Sequence, residues 1–372
     1  MTMFYAMQGG GVRTYLAAKA RWLARHGRIR HSLVASALRM PDDCAFIAVP
    51  STPLPVINGY RIPLSIRNTV KTVQGLAPNV IEVGDPYHFA WAAARIKHSA
   101  GIPIVAFYHS DVPRVLGQRF GPLACYAAQK YLQLVYRQFD LVLAPSRRMA
   151  DFLRSLGIER VMQQPLGVDI TEFSPQHRDL RLRQRLGLPS DTRLLVYAGR
   201  ATPEKKLALL IDAVHALGRP YHLLLVGAGD SVPPSSQVST LPFETDPRAL
   251  SALLGGCDLL VHPGDQETFG LVVLEAMASG VPVLGVAAGG VAELVDRRNG
   301  MLVSAGSSSA LAEGVRILFA QDLAELGRQA RIDVCRRYDW DLIFPQFLRH
   351  YCGVVRGKRR AGFDADVLHR HD

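Results

Sequence analysis

What most constrains this chain is an alternation of short apolar runs with longer amphipathic stretches, and the pattern occurs twice. The apolar runs are Ser32–Ser36, Val80–Val83, Ile104–Tyr108, Leu141–Ala144, Leu194–Tyr197, His222–Val226, Leu259–Val261 and Val281–Val286. Between them lie stretches with helical spacing: Thr14–His26, Phe89–Ser99, Leu123–Gln138, Ser146–Leu156, Leu207–Leu217, Pro247–Gly255, Phe269–Ser279 and Ser309–Phe319. Near-continuous apolar strands suit a parallel sheet whose faces are both covered by helices, so the pattern predicts two Rossmann-like α/β units. A length of 372 residues also suits two domains better than one.

The break between the two series is Pro165 to Pro189, which carries Gly167, Pro175 and Gly187 around a charged middle. The expected domains are 1–168 and 169–340. A last helix over 341–352 should return to the first domain, and 353–372 should form a basic, frayed tail. A parallel strand should precede the Gly9-Gly10-Gly11 turn, yet only Met1 to Met7 precede it. The first strand is therefore expected either to be very short or to begin upstream of this start. A missing central strand would leave its neighbours unpaired.

Net charge is +11, from 43 basic and 32 acidic residues, which favours an anionic membrane surface or a phosphorylated ligand. No zinc spacing, arginine-rich block or RNA-binding aromatic signature accompanies the charge, so nucleic acid is not an expected partner. Five scattered cysteines without a C-x-x-C pair fit a reducing compartment. With no signal peptide or membrane span in view, a cytoplasmic protein is expected, either free or peripheral at the inner face of the membrane. The basic residues Arg13, Lys19, Arg21, Arg25, Arg28 and Arg30 would suit that contact, or simply form a solvated face.

Four segments carry chemistry. Gly9-Gly10-Gly11 precedes a helix, where bare backbone amides and the helix terminus can approach a phosphate. Gly199-Arg200 followed by Lys205 closes the first strand of the second unit and offers a fork and a point charge to one anion. Phe107-Tyr108-His109 puts a histidine at the carboxyl end of a strand, the edge where open parallel sheets bind ligands. The stretch from His262 to Gly280 places Glu267 in a polar loop and Glu275 inside the next helix, where a carboxylate is costly unless something binds it. A polyhydroxylated ligand would do so. Three weaker signals are set aside: His262 as structural, Asp364-Ala365-Asp366 as a tail feature, and Gly227-Ala228-Gly229 as too incomplete for a dinucleotide fingerprint.

Together these motifs resemble the family-4, group 1 retaining glycosyltransferases of GT-B architecture, with Asp85-Pro86 and His109–Pro113 nearest to the bacterial mannosyltransferases among them. Glu267 and Glu275 match the E-x7-E motif, and Gly199-Arg200 with Lys205 matches the G-R…K clamp. Pro165–Asp169 with Phe173 matches the interdomain segment, and Gly289-Gly290-Val291-Ala292-Glu293 matches the turn after the last core strand. The resemblance implies two Rossmann-like domains facing across a cleft. It implies transfer of a sugar, first guess mannose, from a GDP- or UDP-linked donor to a lipid, glycan or small-molecule acceptor, without a metal or other cofactor. Arg200 and Lys205 would hold the diphosphate, with Lys206 as the fallback. Glu275 would bind the ribose and Glu267 the donor sugar. The amides of Phe269, Gly270 and Leu271, with Gly10 and Gly11, would face the phosphates, and Leu241 and Phe243 would border the base. His109 would support the reacting sugar, making His109, Arg200, Lys205 and Glu267 the catalytic set. The alternatives are a nucleotide-sugar epimerase of the same architecture or an inactive nucleotide-sugar-binding relative.

Overall fold

Apolar side chains line both faces of the central strands, and the sheets are almost entirely parallel. The computed structural model describes residues 1–5, 10–27, 29–36, 45–53, 61–229, 232 and 235–368, the last eleven of these by backbone alone. Two units emerge, one of residues 1–165 with 341–372 and one of Leu166–Trp340.

In chain order the first unit contains α1 (Gly11–His26), β1 (Ser32–Ala35), β2 (Ala45–Ala48), β3 (Ser51–Pro53), β4 (Arg61–Pro63), α2 (Ile66–Gly75) and β5 (Ile81–Val83). It continues with α3 (His88–Ala100), β6 (Ile104–Phe107), α4 (Val112–Phe120), α5 (Pro122–Tyr136), β7 (Leu141–Ala144), α6 (Arg147–Ser155) and β8 (Val161–Gln163). Strands β5-β6-β7-β8 form a parallel sheet, β1 and β2 a parallel pair, and β3 and β4 a short antiparallel pair. Ile104, Val105, Ala106 and Phe107 are all buried, as a strand covered on both faces requires.

Met1–Met3 lie between β1 and β5. Thr2 forms a parallel bridge with Ala35, and its amide donates to the Val34 carbonyl at 3.1 Å. The Gly84 amide donates to the Met1 carbonyl at 3.0 Å. The neighbours expected to be left unpaired are thus each bonded to this short segment. Gly9 lies outside the described residues, as does Cys44.

The second unit contains α7 (Leu182–Arg185), β9 (Arg193–Ala198), α8 (Leu207–Leu217), β10 (Tyr221–Val226), β11 (Val238–Leu241), α9 (Pro247–Gly256), β12 (Leu259–His262) and α10 (Leu271–Ala278). It ends with β13 (Val283–Val286), β14 (Gly300–Val303), α11 (Ser308–Phe319) and α12 (Leu323–Arg337). Its six described strands are all parallel, in the order β11-β10-β9-β12-β13-β14. Helices start where side chains can accept their free amides: Asp246 caps α9, Ser307 caps α11 and Asp322 caps α12. Because β14 follows it, the Gly289–Glu293 turn does not close the last core strand as expected; it closes β13.

The segment matching the interdomain motif is stitched to the end of this unit. The Val168 amide donates to the Tyr338 carbonyl at 2.8 Å, and a Cβ on Gly167 would lie 2.8 Å from the Trp340 ring. Helix α13 (Trp340–Leu368) runs on through Gly353 instead of fraying there. The Asp364 and Asp366 side chains fall outside the described ones. No described helix is long and apolar enough to cross a membrane.

Candidate active site

In the second unit β9 is followed in sequence by β10 on one side, while β12 pairs with its other side. The strand order therefore reverses between β9 and β12, and open α/β sheets bind ligands outside the carboxyl ends at such a point. The loops leaving these two strands are 199–206 and 263–270.

Two ion pairs join those loops. Lys205 Nζ contacts Glu267 Oε2, and Lys206 Nζ lies 2.7 Å from Asp265 Oδ2. Burial pushes the Glu267 carboxyl up, but the Lys205 ammonium and the His262 ring together hold it well below the usual carboxylate range. His262 Nε2 is 3.4 Å from Glu267 Oε2, so a residue assigned to structure from sequence in fact faces the site. Its position at the end of β12, five residues before Glu267, was the available signal. Lys206 takes a left-handed conformation (φ +52°) and begins α8 as its N-cap.

The 263–270 loop is held by backbone contacts that admit no side chain. Gly290 donates to the Glu267 carbonyl at 2.6 Å, and a Cβ on Gly290 would lie 2.5 Å from the Thr268 oxygen. Gly289 (φ +62°) would place a Cβ 2.7 Å from the Glu267 oxygen. Gly264 lets the loop abut Glu204 and Lys205, since a Cβ there would be 3.2 Å from the Glu204 carbonyl.

Helix α10 starts at Leu271, after Gly270 as a left-handed N-cap (φ +106°), two residues later than the sequence suggested. Phe269 is buried and packs on Tyr338, with ring centroids 6.1 Å apart. The amides of Phe269, Gly270 and Leu271 donate to no acceptor among the described residues, so this helix end keeps donors for an anion. One turn further on, the half-buried Glu275 side chain has no hydrogen-bond or ionic partner among the described residues. Burial alone pushes its carboxyl up to about 7.

Arg200, two residues beyond β9, is exposed, and its guanidinium has no partner among the described residues. Its carbonyl accepts from Tyr197 Oη at 3.0 Å, which fixes the turn that presents it. Leu241 ends β11, and its carbonyl accepts from the Gly227 amide at 3.0 Å. Phe243, 43% exposed, lies over Gly227, where a Cβ would meet its ring at 2.9 Å. Arg200, Lys205, Glu267, Glu275, Leu241, Phe243 and the α10 amides thus all lie at one sheet edge. Among them Lys205 and Glu267 form an ion pair.

Two predicted features belong to the first unit. Gly10 precedes α1, which starts at Gly11 with no acidic residue in its first turn. His109 follows β6, edge-on to Phe107 (4.3 Å, 88°) and 5.4 Å from the Tyr15 ring. Its pKa is lowered to about 4, chiefly by burial, so the ring is neutral at neutral pH. Sequence reasoning missed the cluster beside it. Lys19 Nζ lies 2.8 Å from Glu82 Oε2 and donates to Tyr15 Oη at 3.1 Å and Tyr351 Oη at 2.7 Å. Burial raises the Glu82 carboxyl, yet Lys19 and Tyr351 hold it at about 2. Lys19 is therefore buried in an ion pair and is not part of a solvated cationic face. Nothing in the spacing of residues 15, 19, 82 and 351 announces this contact.

Comparison with known proteins agrees with this geometry. Residues 9–172 match the family described as Glycosyltransferase Family 4, and residues 179–332 match Glycosyl transferases group 1. A GDP-mannose-dependent alpha-mannosyltransferase of Mycolicibacterium smegmatis is 32% identical over 326 residues, covering 86% of this chain and 85% of that protein. The protein of the same description from Mycobacterium tuberculosis is 29% identical over 327 residues, with 86% and 85% covered. Among solved structures, sucrose-phosphate synthase from Thermosynechococcus elongatus superposes with a TM-score of 0.78 at 21% identity, covering 94% of each chain. Anabaena HepE, solved with UDP-glucose, gives 0.75 at 22% identity, covering 95% of this chain and 98% of that one. Parallel sheets in two units, a loaded switch point and matches along most of its length make this chain a glycosyltransferase, a member of the group 1, family-4 enzymes of GT-B fold.

Proposed function

We propose that the second unit binds GDP-mannose at the β9/β12 switch point and that the enzyme transfers the mannose with retention of anomeric configuration. Arg200 and Lys205 take the diphosphate and stabilise the charge that grows on it as the glycosidic bond breaks. The Phe269, Gly270 and Leu271 amides add donors to the same phosphates. Glu275 accepts hydrogen bonds from the ribose hydroxyls, Glu267 from the sugar hydroxyls, and Leu241 and Phe243 border the base. No step calls for a metal. Gly10 and Gly11 keep the phosphate-facing role that the resemblance implies, and His109 supports the reacting sugar.

The observation that carries this reading is Glu275, a carboxylate on a packed helix with no partner among the described residues and a pKa raised by burial alone. Such a group is costly to the fold and is best explained by a ligand rich in hydroxyls. The choice of GDP-mannose rests on the names of the matched mycobacterial proteins. A UDP-sugar is the second choice, as the motif resemblance leaves open.

The acceptor is a hydroxyl of a lipid, glycan or small molecule. A lipid is favoured by one matched relative, a phosphatidylinositol dimannoside mannosyltransferase of M. tuberculosis, 28% identical over 347 residues. A peripheral contact with anionic membrane fits the α4–α5 hairpin better than α1. Residues 112–139 carry Arg114, Arg119, Lys130 and Arg137 and no acidic residue. Val115, Phe120, Leu123, Tyr126 and Leu134 of the hairpin are each more than half exposed. Arg119 and Lys130 lie over the Phe120 and Tyr126 rings, so cation and apolar surface occur together, as at a bilayer interface.

The deciding experiment is a donor screen. Nucleoside diphosphate release and thermal shift are measured with GDP- and UDP-sugars for wild type and Glu275→Ala. One donor should stabilise the wild type and release its diphosphate, and Glu275→Ala should lose both effects. Equal stabilisation of the two proteins would remove Glu275 from the site. Sugar interconversion without acceptor would favour an epimerase.

A further inference from the structure

The two halves of the donor site differ in what already occupies them. Arg200 and Glu275 have no partner among the described residues, whereas the Lys205 ammonium and the Glu267 carboxylate satisfy each other. Both paired side chains are only about one-fifth exposed, 22% and 21%. A phosphate that draws on Lys205 must therefore take it from Glu267. The carboxylate left behind sits in a loop pinned from below by Gly289 and Gly290, which fixes its backbone against the neighbouring turn. His262 also faces it at 3.4 Å, and the Tyr197 hydroxyl is near enough to feel its charge. Stranding a largely buried charge is costly unless a new donor replaces the lost one.

We propose that the Lys205–Glu267 pair is an exchange latch that makes the site favour a whole nucleotide sugar over the nucleoside diphosphate left after transfer. A nucleotide sugar brings both replacements at once: phosphate oxygens for Lys205 and sugar hydroxyls for Glu267. A nucleoside diphosphate brings only the first, so it leaves Glu267 stranded and binds more weakly. After transfer the same imbalance helps to expel the product, because re-forming the Lys205–Glu267 pair competes with the diphosphate. Glu267 is then a discriminating residue as well as a sugar ligand. Lys206–Asp265, 2.7 Å apart on the same two loops, is the internal control, since breaking it strands nothing at Lys205. This inference rests on the donor site proposed above.

The test is calorimetric titration of wild type, Glu267→Gln, Glu267→Ala and Asp265→Asn with GDP and GDP-mannose, and with UDP and UDP-glucose. Wild type should prefer the sugar nucleotide to its diphosphate. Either Glu267 substitution should tighten diphosphate binding about tenfold, equivalent to about 1.4 kcal/mol, and bring the two affinities close together. Asp265→Asn should leave their ratio unchanged. The latch is refuted if wild type binds and neither Glu267 variant tightens the diphosphate. It is equally refuted if Asp265→Asn tightens it as much, because loosening of the loop would then be the cause. If wild type binds neither member of either pair, the donor site itself is refuted along with the latch.

Discussion

Replacing Glu275 by glutamine should stabilise this protein at high pH and leave it unchanged at low pH. Burial moves the Glu275 carboxyl from 4.5 to about 7, with no partner to offset the shift. Between those two values the folded chain holds a proton that the unfolded chain has released. Stability therefore falls as pH rises through this window, and the loss is complete above about pH 8. A shift of 2.5 units corresponds to at most about 3.4 kcal/mol at 1.36 kcal/mol per unit. The side chain is half-buried and keeps some water, so about 1–2 kcal/mol is the expected effect. Glutamine matches the neutral acid in shape and carries no charge at any pH. Unfolding free energies from urea titration should differ least near pH 5 and diverge by most of that amount at pH 8.5. In a unit of this size the difference corresponds to a few degrees in melting temperature. The variant should meanwhile lose donor affinity, because the amide offers ribose hydroxyls only one acceptor oxygen. Parallel stability curves from pH 5 to 8.5 would refute the assignment of an unpaired buried carboxylate.

Gly290→Ala should cost about 1–3 kcal/mol and weaken donor binding in calorimetry with the fold intact, because its Cβ would press on the Thr268 oxygen and the Phe269 Cα. Lys19→Met leaves Glu82 buried without its cation and should cost about 3–5 kcal/mol in urea unfolding; adding Glu82→Gln should restore part of it. Phe120→Glu with Leu123→Glu should reduce cosedimentation with phosphatidylglycerol vesicles and leave the low background on phosphatidylcholine unchanged, with donor affinity as the check on folding. His109→Asn should lower kcat about a hundredfold, measured as nucleoside diphosphate release at saturating donor.

Much of this was legible in the sequence, for identifiable reasons. Strands β6, β7, β9, β10 and β12 are buried on both faces, so they appear as unbroken apolar runs between helices and fall where expected. β3 and β4 are three residues long and partly exposed, and no apolar run marks them; β2 is a four-residue apolar run, Ala45–Ala48, that stayed out of the pattern because it is short and partly exposed. α4 was hidden by Pro113 and Gly117, which look like turn residues. Pro113 sits in the first turn, where no amide is needed, and Gly117 gives room for Cys125, whose Cβ would lie 2.9 Å from a Cβ there. The loop residues Arg200, Lys205 and Glu267 could be named because each follows a strand that the pattern locates. The pairing of Lys205 with Glu267, and of Lys19 with Glu82, could not, because residues 62 and 63 positions apart meet only through tertiary packing.

The two glutamates of the E-x7-E pair show why spacing alone does not assign roles. Glu267 and Glu275 are the same residue type, eight positions apart, yet their surroundings drive them in opposite directions. Lys205 and His262 keep Glu267 charged at any working pH, while burial without a partner brings Glu275 to about 7. A ligand that hydrogen-bonds to Glu275 favours its charged form and must therefore draw its proton off near neutrality. A ligand that reaches Glu267 finds it already ionised and has only to displace Lys205. Ribose capture should then be linked to release of a proton, and sugar capture to exchange of an ion pair without one. Titrations in buffers of different ionisation heat separate the two: proton release near pH 7 should be carried by the nucleoside diphosphate alone and should not grow when the sugar is added. Release that appears only with the sugar nucleotide would reverse the roles given to the two carboxylates.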